Sequence, residues 1–354
     1  MSILFAILIF SILILVHELG HFAAAKISGV RVNEFSMFMG PAIWKKQIGE
    51  TMYSLRCIPI GGFCAMEGED GDSEDPRSLQ KALWWKRLII LVSGAAMNFI
   101  IGVLVTILVY LPAQQFVVPV IGYFEPGCVL QSEDGLQLGD RFLEIDGEKI
   151  YVYSDFTTIL NLNPGNNIHD ILLERNGEKV FMEDFPLVKS EFSNEDGTTT
   201  LRYGFSFSVE DATFTSKIRH AWDSAMDMVR MVRLSLQMLV QGQAKLADVG
   251  GPVMIVDQMN QVAQGSETKL DAILNMCSFG GFISLNLAVM NMLPLPALDG
   301  GRVVGVLLTT GIEAITRKKI NPKYEGYIHG AGMIVLLALM ALIMFKDIIF
   351  LFKR

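Results

Sequence analysis

Residues 17–21 read His-Glu-Leu-Gly-His and lie inside an apolar run that extends from Ser2 to about Ala25. Ionisable and metal-binding side chains are expensive in hydrocarbon, so a cluster of them there marks a functional site. On a helix, positions four apart share one face. His17 and His21 can therefore present two imidazole nitrogens to one zinc ion, with Glu18 beside the open coordination position. That chemistry is metal-assisted hydrolysis.

A catalytic zinc usually takes three protein ligands and keeps a fourth position for water. The best third candidate lies in Asn291-Met-Leu-Pro-Leu-Pro-Ala-Leu-Asp299-Gly-Gly, where Asp299 is the only carboxylate of a third apolar span. At about 1.5 Å per residue, His17 lies about 24 Å along a first helix entered at Met1 and Asp299 about 36 Å along a helix entered near Asn275, which carries both into the cytoplasmic half of the bilayer. Pro294 and Pro296 remove amide donors and bias the residues before them toward extended backbone. Non-helical backbone is tolerated within a membrane only where protein or a water-filled cavity satisfies it. The prolines would thus leave amides and carbonyls beside the metal, where a substrate strand can pair. Asn286 and Asn291 carry carboxamides that donate to and accept from a peptide backbone. Hydrogen bonding between helices is an equally good use for either one alone.

The elements that must position these residues follow from composition. The chain has 354 residues, 51% of them hydrophobic, and a mean hydropathy of +0.40. This is too apolar for an ordinary soluble protein and long enough to carry a small soluble domain as well. After the first apolar segment, spans are expected at about 88–111, 274–298 and 328–350, each near the roughly 20 residues that a bilayer requires. The first segment lacks the basic start of a signal peptide and is read as a retained helix. Lys26, Arg31, Lys81, Lys86 and Arg87 border the first loop, and Arg317, Lys318, Lys319 and Lys323 the third, which places both in the cytoplasm by the positive-inside rule. Residues 113–211 hold 18 acidic and 6 basic residues, a scarcity of Lys and Arg that suits an external domain. A pI near 5.2 gives no support to nucleic-acid binding. Cys57, Cys64, Cys128 and Cys277 show neither zinc-ribbon spacing nor a disulfide framework.

His-Glu-Leu-Gly-His in the first span, Ser93-Gly-Ala-Ala-Met-Asn98 in the second and Asn-Met-Leu-Pro-Leu-Pro-Ala-Leu-Asp-Gly-Gly in the third together resemble the site-2 protease family of intramembrane zinc metalloproteases, in its bacterial regulator-of-sigma-factor branch. The resemblance covers nearly the whole chain. It implies Zn2+ held by His17, His21 and Asp299, with Glu18 as catalytic acid/base on a zinc-bound water. It also implies substrate positioning by Asn286, Asn291, Pro294 and Pro296. The expected reaction is cleavage of transmembrane segments of single-pass membrane proteins within the bilayer, of the anti-sigma-factor or remnant-signal-peptide class. A PDZ-bearing scaffold without catalysis and an ion-coupled transporter are the rival readings. Intact Glu18 opposes the first, and the absence of an internal repeat opposes the second.

The period-two alternation of Tyr53, Leu55 and Cys57 with Ser54 and Arg56 reads as strand. In the family the matching region is a re-entrant β-hairpin that holds substrate as an added strand. Here Met37, Phe38 and Met39 precede Gly40, where the family carries a glycine-spaced Phe-Ser-x-Gly-x-Gly pattern. Between Val117 and about Val188, β-rich runs are divided by the turn signals Asp146-Gly147 and Asn176-Gly177. Gly135-Leu-Gln-Leu-Gly-Asp140-Arg-Phe-Leu-Glu-Ile-Asp-Gly147 resembles a PDZ domain, whose groove would take a peptide ligand. Ile218, Trp222, Ala225, Val229, Val232, Leu236 and Leu239 recur at spacings of three and four, an amphipathic helix too charged to span. His169, His220 and His329 are read as solvent or interface positions.

The expected fold is an α-helical polytopic membrane protein with four transmembrane helices, a re-entrant β-hairpin and an inserted extracytoplasmic α+β PDZ domain, multi-pass in the cell membrane. Its parts are a first membrane helix over 1–26, a re-entrant β region over 27–87 and a second membrane helix over 88–111. A PDZ domain over 113–212 follows, with an amphipathic helix and linker over 213–270. A third membrane helix with the Leu-Asp-Gly motif over 274–308 and a fourth over 328–350 complete the chain.

Overall fold

The computed structural model describes residues 2–353 apart from 70, 72, 163–164, 194–197, 243–250, 266–267 and 318–322. Lys318, Lys319 and part of the expected linker lie outside the described residues. The chain forms two compact units, residues 1–109 with 228–354, and residues 110–227.

The first unit opens with helix α1 (Ser2–Ser28), followed by strands β1 (Val32–Ile48) and β2 (Thr51–Met66), a 3-10 turn at Leu79–Lys81 and helix α2 (Trp84–Tyr110). β1 and β2 pair antiparallel around a turn at Gly49 and Glu50, with Ile48 opposite Thr51. The ribbon then curls onto itself, so that Glu34–Met37 pair with both Met52–Leu55 and Gly62–Ala65. The bend is made at Phe38, whose φ of 68° is the left-handed conformation that a glycine adopts without strain. Phe38 stands where the family's pattern has its first glycine. Arg56 secures the bend by donating to the Gly40 carbonyl at 2.7 Å and pairing with Glu34 at 2.7 Å.

The ribbon's root is fastened to both helices. Ala25, Val30, Val32, Cys64, Met66, Leu79 and Ile90 bury together there. Lys26 at the end of α1 meets the Glu50 carboxylate at 2.9 Å, and Arg77 meets its other oxygen at 2.7 Å. These two cations hold the Glu50 carboxyl below the usual range. Midway along β2, Ser11 Oγ of α1 donates to the Pro59 carbonyl at 3.1 Å.

The second unit contains β3 (Gln115–Phe124), β4 (Arg141–Ile145), β5 (Glu148–Lys149), the short helix α3 (Asp155–Leu160), β6 (Ile168–Arg175), β7 (Glu178–Pro186), β8 (Ser190–Ser193), β9 (Thr199–Arg202) and β10 (Phe205–Asp211). Its main sheet runs β10-β3-β4-β6-β7, all neighbours antiparallel. Asp146-Gly147 and Asn176-Gly177 all take positive φ, the two-residue hairpin turns that their residue types predict. Ile121, Leu136, Phe142, Ile145, Phe156, Ile171 and Leu173 fill the core. Fully buried Asp140 receives Arg175 through two bonds of 2.7 Å, a bidentate pair that locks β6 to the loop before β4. His169 is not a solvent position: it is buried, with Nδ1 2.7 Å from Asp146 Oδ2 and Nε2 3.1 Å from the Asn166 carbonyl. The reason is strand register, which turns its side chain to the covered face beside the Asp146 turn.

Helix α4 (Phe214–Val240) begins in this unit and realises the expected amphipathic helix, with Ala221 and Ala225 fully buried. Ile218 and Trp222 remain exposed, since the small residues of the face make the close contacts.

In the first unit follow α5 (Pro252–Gln264), α6 (Lys269–Asn291), α7 (Asp299–Thr316) and α8 (Lys323–Lys353). Among the described residues, four helices are long and apolar enough to cross a membrane, over Ile7–Ser28, Trp84–Tyr110, Leu270–Asn291 and Gly326–Asp347. The third does not run on to residue 308 as one helix. It stops at Asn291, and Met292–Leu298 are non-helical before α7 begins. Two prolines three to five positions beyond Asn291 deny the helix its next amide donors.

Candidate metal centre

His17 and His21 lie one turn apart on α1, buried, with ring planes at 84°. Their Nε2 atoms are 3.1 Å apart, and Asp299 Oδ2 is 3.1 Å from the first and 3.2 Å from the second. A tetrahedral zinc with bonds of about 2.0–2.1 Å separates its ligand atoms by about 3.3 Å. The near-equilateral triangle of two nitrogens and one oxygen has that size. Asp299 Oδ2 is buried and receives no hydrogen bond, an orphaned acceptor that a cation would satisfy. Among the described residues this is the only group of three His, Cys, Asp or Glu side chains with ligand atoms within 4.8 Å of one another.

The histidines are held by α2. His21 Nδ1 is 2.7 Å from the Ile90 carbonyl, which can only accept, so Nδ1 carries the proton and Nε2 keeps its lone pair for the cluster. Gly94, one turn on, passes directly over both rings. A Cβ there would meet His17 Cε1 at 2.7 Å and Nε2 at 2.8 Å, closer than atoms can pack. Gly94→Ala should therefore displace the imidazoles and lower proteolysis about 100-fold, the usual effect of a misplacement near 1 Å. Single-turnover cleavage at saturating zinc, with helix content checked by circular dichroism, measures it.

Asp299 is the first residue of α7, yet its carboxylate turns to the histidines and makes no capping bond. Gly300 packs against the Met292 and Leu293 carbonyls, and Gly301 against that of Leu295. Side chains at either position would push the 292–298 segment off the start of α7. Ala297 takes φ 82°, a left-handed conformation uncommon outside glycine. Pro294, Leu295 and Pro296 are exposed. Of Asn286 and Asn291 on α6, Asn291 brings Nδ2 to 3.4 Å from His17 Nδ1, whereas Asn286 is half-buried one and a half turns earlier. Glu18 is half-buried and adjoins His17 on α1.

Sequence reasoning left several neighbours without a role. Asn98, fully buried on α2, brings Nδ2 to 3.4 Å from His17 Nδ1. Arg302, one turn beyond Asp299, pairs with Glu69 after β2 and donates from Nε to His329 Nε2 at 2.8 Å. The Ala297 amide nitrogen lies 3.3 Å from the other ring nitrogen of His329, Nδ1, on α8. The spacing of Asn98 four residues after Gly94 was the available signal for the first. Nothing in sequence links Glu69, Arg302 and His329.

A buried His-His-carboxylate triangle of zinc dimensions, an adjoining glutamate and four membrane-length apolar helices together point to a membrane metalloprotease. The chain belongs to peptidase family M50, the site-2 protease family, whose profile matches residues 5–339. It is 38% identical over 352 residues to a protein of Clostridium perfringens named as a candidate zinc metalloprotease, covering 99% of each chain. A similarly named Clostridium acetobutylicum protein is 32% identical over 349 residues, 99% of this chain and 98% of the other. The regulator of sigma-W protease RasP of Bacillus subtilis is 27% identical over 427 residues, 97% of each. The protein is thus a zinc-dependent, multi-pass membrane metalloprotease.

Proposed function

We propose that the protein is an intramembrane endopeptidase that cuts transmembrane segments of single-pass membrane proteins, with His17, His21 and Asp299 as zinc ligands and Glu18 as general base. The observation that carries this reading is the ligand triangle lying directly against the opened backbone of residues 292–298. A bound zinc would polarise the scissile carbonyl and make water acidic near neutral pH. Glu18 takes the proton of the attacking water and returns it to the leaving amine. A helical substrate hides its scissile amide in its own hydrogen bonds, so it must become extended before attack. The exposed Pro294–Pro296 segment offers backbone carbonyls for that extended chain, and Asn291 and Asn286 offer carboxamides. The β1-β2 ribbon supplies a strand edge.

The ribbon's re-entry is supported by the Ser11–Pro59 bond. Ser11 precedes His17 by six residues, about 9 Å along α1 toward the outer face. The scarcity of Lys and Arg between residues 113 and 211 supports the topology with that segment outside. The antiparallel sheet with β10 at its edge and α3 beside the core supports the PDZ reading and a peptide ligand on that edge. The name of the Bacillus relative, a regulator of sigma-W protease, favours a substrate that takes part in sigma-factor regulation. The test is metal analysis of the detergent-purified chain together with cleavage of a model transmembrane substrate. The expected result is one zinc per chain and loss of cleavage on chelation, restored by zinc. Cleavage indifferent to chelation, or confined to soluble peptides, would refute the reading.

A further inference from the structure

Zinc ligation through Nε2 requires the imidazole proton to sit on Nδ1 and to find an acceptor there. His21 has the Ile90 carbonyl. The Nδ1 of His17 faces two carboxamides instead, those of Asn98 and Asn291, each with its nitrogen at 3.4 Å. A protonated Nδ1 opposite an NH2 group sets donor against donor. The Asn98 Oδ1, meanwhile, is buried without any hydrogen-bond partner. A half-turn of the Asn98 carboxamide about Cβ–Cγ exchanges its two ends and lets Oδ1 accept from His17 Nδ1–H.

We propose that Asn98 is the positioning residue of the metal centre, the acceptor that fixes the His17 tautomer, and that Asn291 is thereby left to substrate. The surroundings separate the two asparagines. Asn98 is buried in α2, its own backbone carbonyl held by Ser284 Oγ of α6 at 2.7 Å, so its side chain is delivered from a fixed support. Asn291 is the last residue of α6, half-exposed at the edge of the opened segment, where an incoming backbone can reach it. This inference rests on His17 being a zinc ligand.

The test measures zinc affinity of the purified full chain by competition with a chromogenic chelator, beside cleavage kinetics. Asn98→Leu keeps the volume and removes the acceptor, and should weaken zinc binding about 10- to 100-fold. Asn98→Asp keeps an acceptor and loses only the amide nitrogen, so it should bind zinc as tightly as the wild type or more so. A merely structural role would not be rescued in that way, since Asp brings charge into a buried site. Asn291→Leu should leave zinc affinity within a few-fold and raise KM. Wild-type zinc affinity in Asn98→Leu, or equal loss in Asn98→Leu and Asn98→Asp, overturns the proposal. A loss in Asn291→Leu matching that in Asn98→Leu overturns it too. His17→Ala in parallel isolates the underlying reading: unchanged zinc binding there would remove His17 from the site whatever the Asn98 variants do.

Discussion

Glu18→Gln should retain one zinc per chain and lose proteolysis by about 10²- to 10⁴-fold, the range that a positioned acid/base contributes. The substitution preserves size and leaves both imidazoles and Asp299 in place, so metal content and catalysis are separated in one protein. Glutamine cannot take the proton of the attacking water, and its amide is no acid for the leaving amine. Metal analysis and cleavage of a transmembrane substrate are measured on the same preparation. A zinc-loaded variant that cuts at the wild-type rate would remove Glu18 from the reaction, whereas loss of zinc would show that its role lies in holding the site.

Asp299→Ala should have the largest effect on the metal itself. Structural zinc sites bind with about 10–16 kcal/mol across four ligands, so one carboxylate accounts for about 3 kcal/mol or about two orders of magnitude in affinity. The two histidines on α1 would remain, but at the bottom of a site with one wall open. Zinc retained through dialysis against a chelator buffer that leaves the wild type loaded is the measurement. Wild-type retention would exclude Asp299 as a ligand, despite its 3.1 Å and 3.2 Å approaches to the imidazoles.

What could be read from the sequence divides along the range of the interactions. The His17–His21 pair is set by the helical repeat within five residues, and the Asp146-Gly147 and Asn176-Gly177 turns are set by two. The four apolar spans are set by composition over about twenty. Joining Asp299 to the pair needed more than local pattern, since the structure brings its carboxylate to both imidazoles from the start of α7, beyond a break in what was expected as one continuous third helix. The doubled pairing of Glu34–Met37 was illegible because period-two alternation reports a strand and not how many partners flank it. Phe38 in a glycine conformation was visible only as a broken pattern. Asn98 stood in a quoted motif without a use, since its meaning lies in an atom of His17 some eighty residues away. The Glu69, Arg302 and His329 contacts have no local signature at all.

The attachment of Arg302 gives the site a mechanical property. Asp299 and Arg302 occupy successive turns of α7, and Arg302 is bonded to the base of the β-ribbon through Glu69 and to α8 through His329. The proposed ligand that closes the metal triangle therefore rides on the same lever as the strand proposed to grip the substrate. If a polypeptide on the ribbon shifts Glu69, the displacement passes through Arg302 to the turn that carries Asp299. Free energies around such a cycle must balance, so any effect of ribbon occupation on grip of the ion is matched by an equal effect of the ion on ribbon occupation.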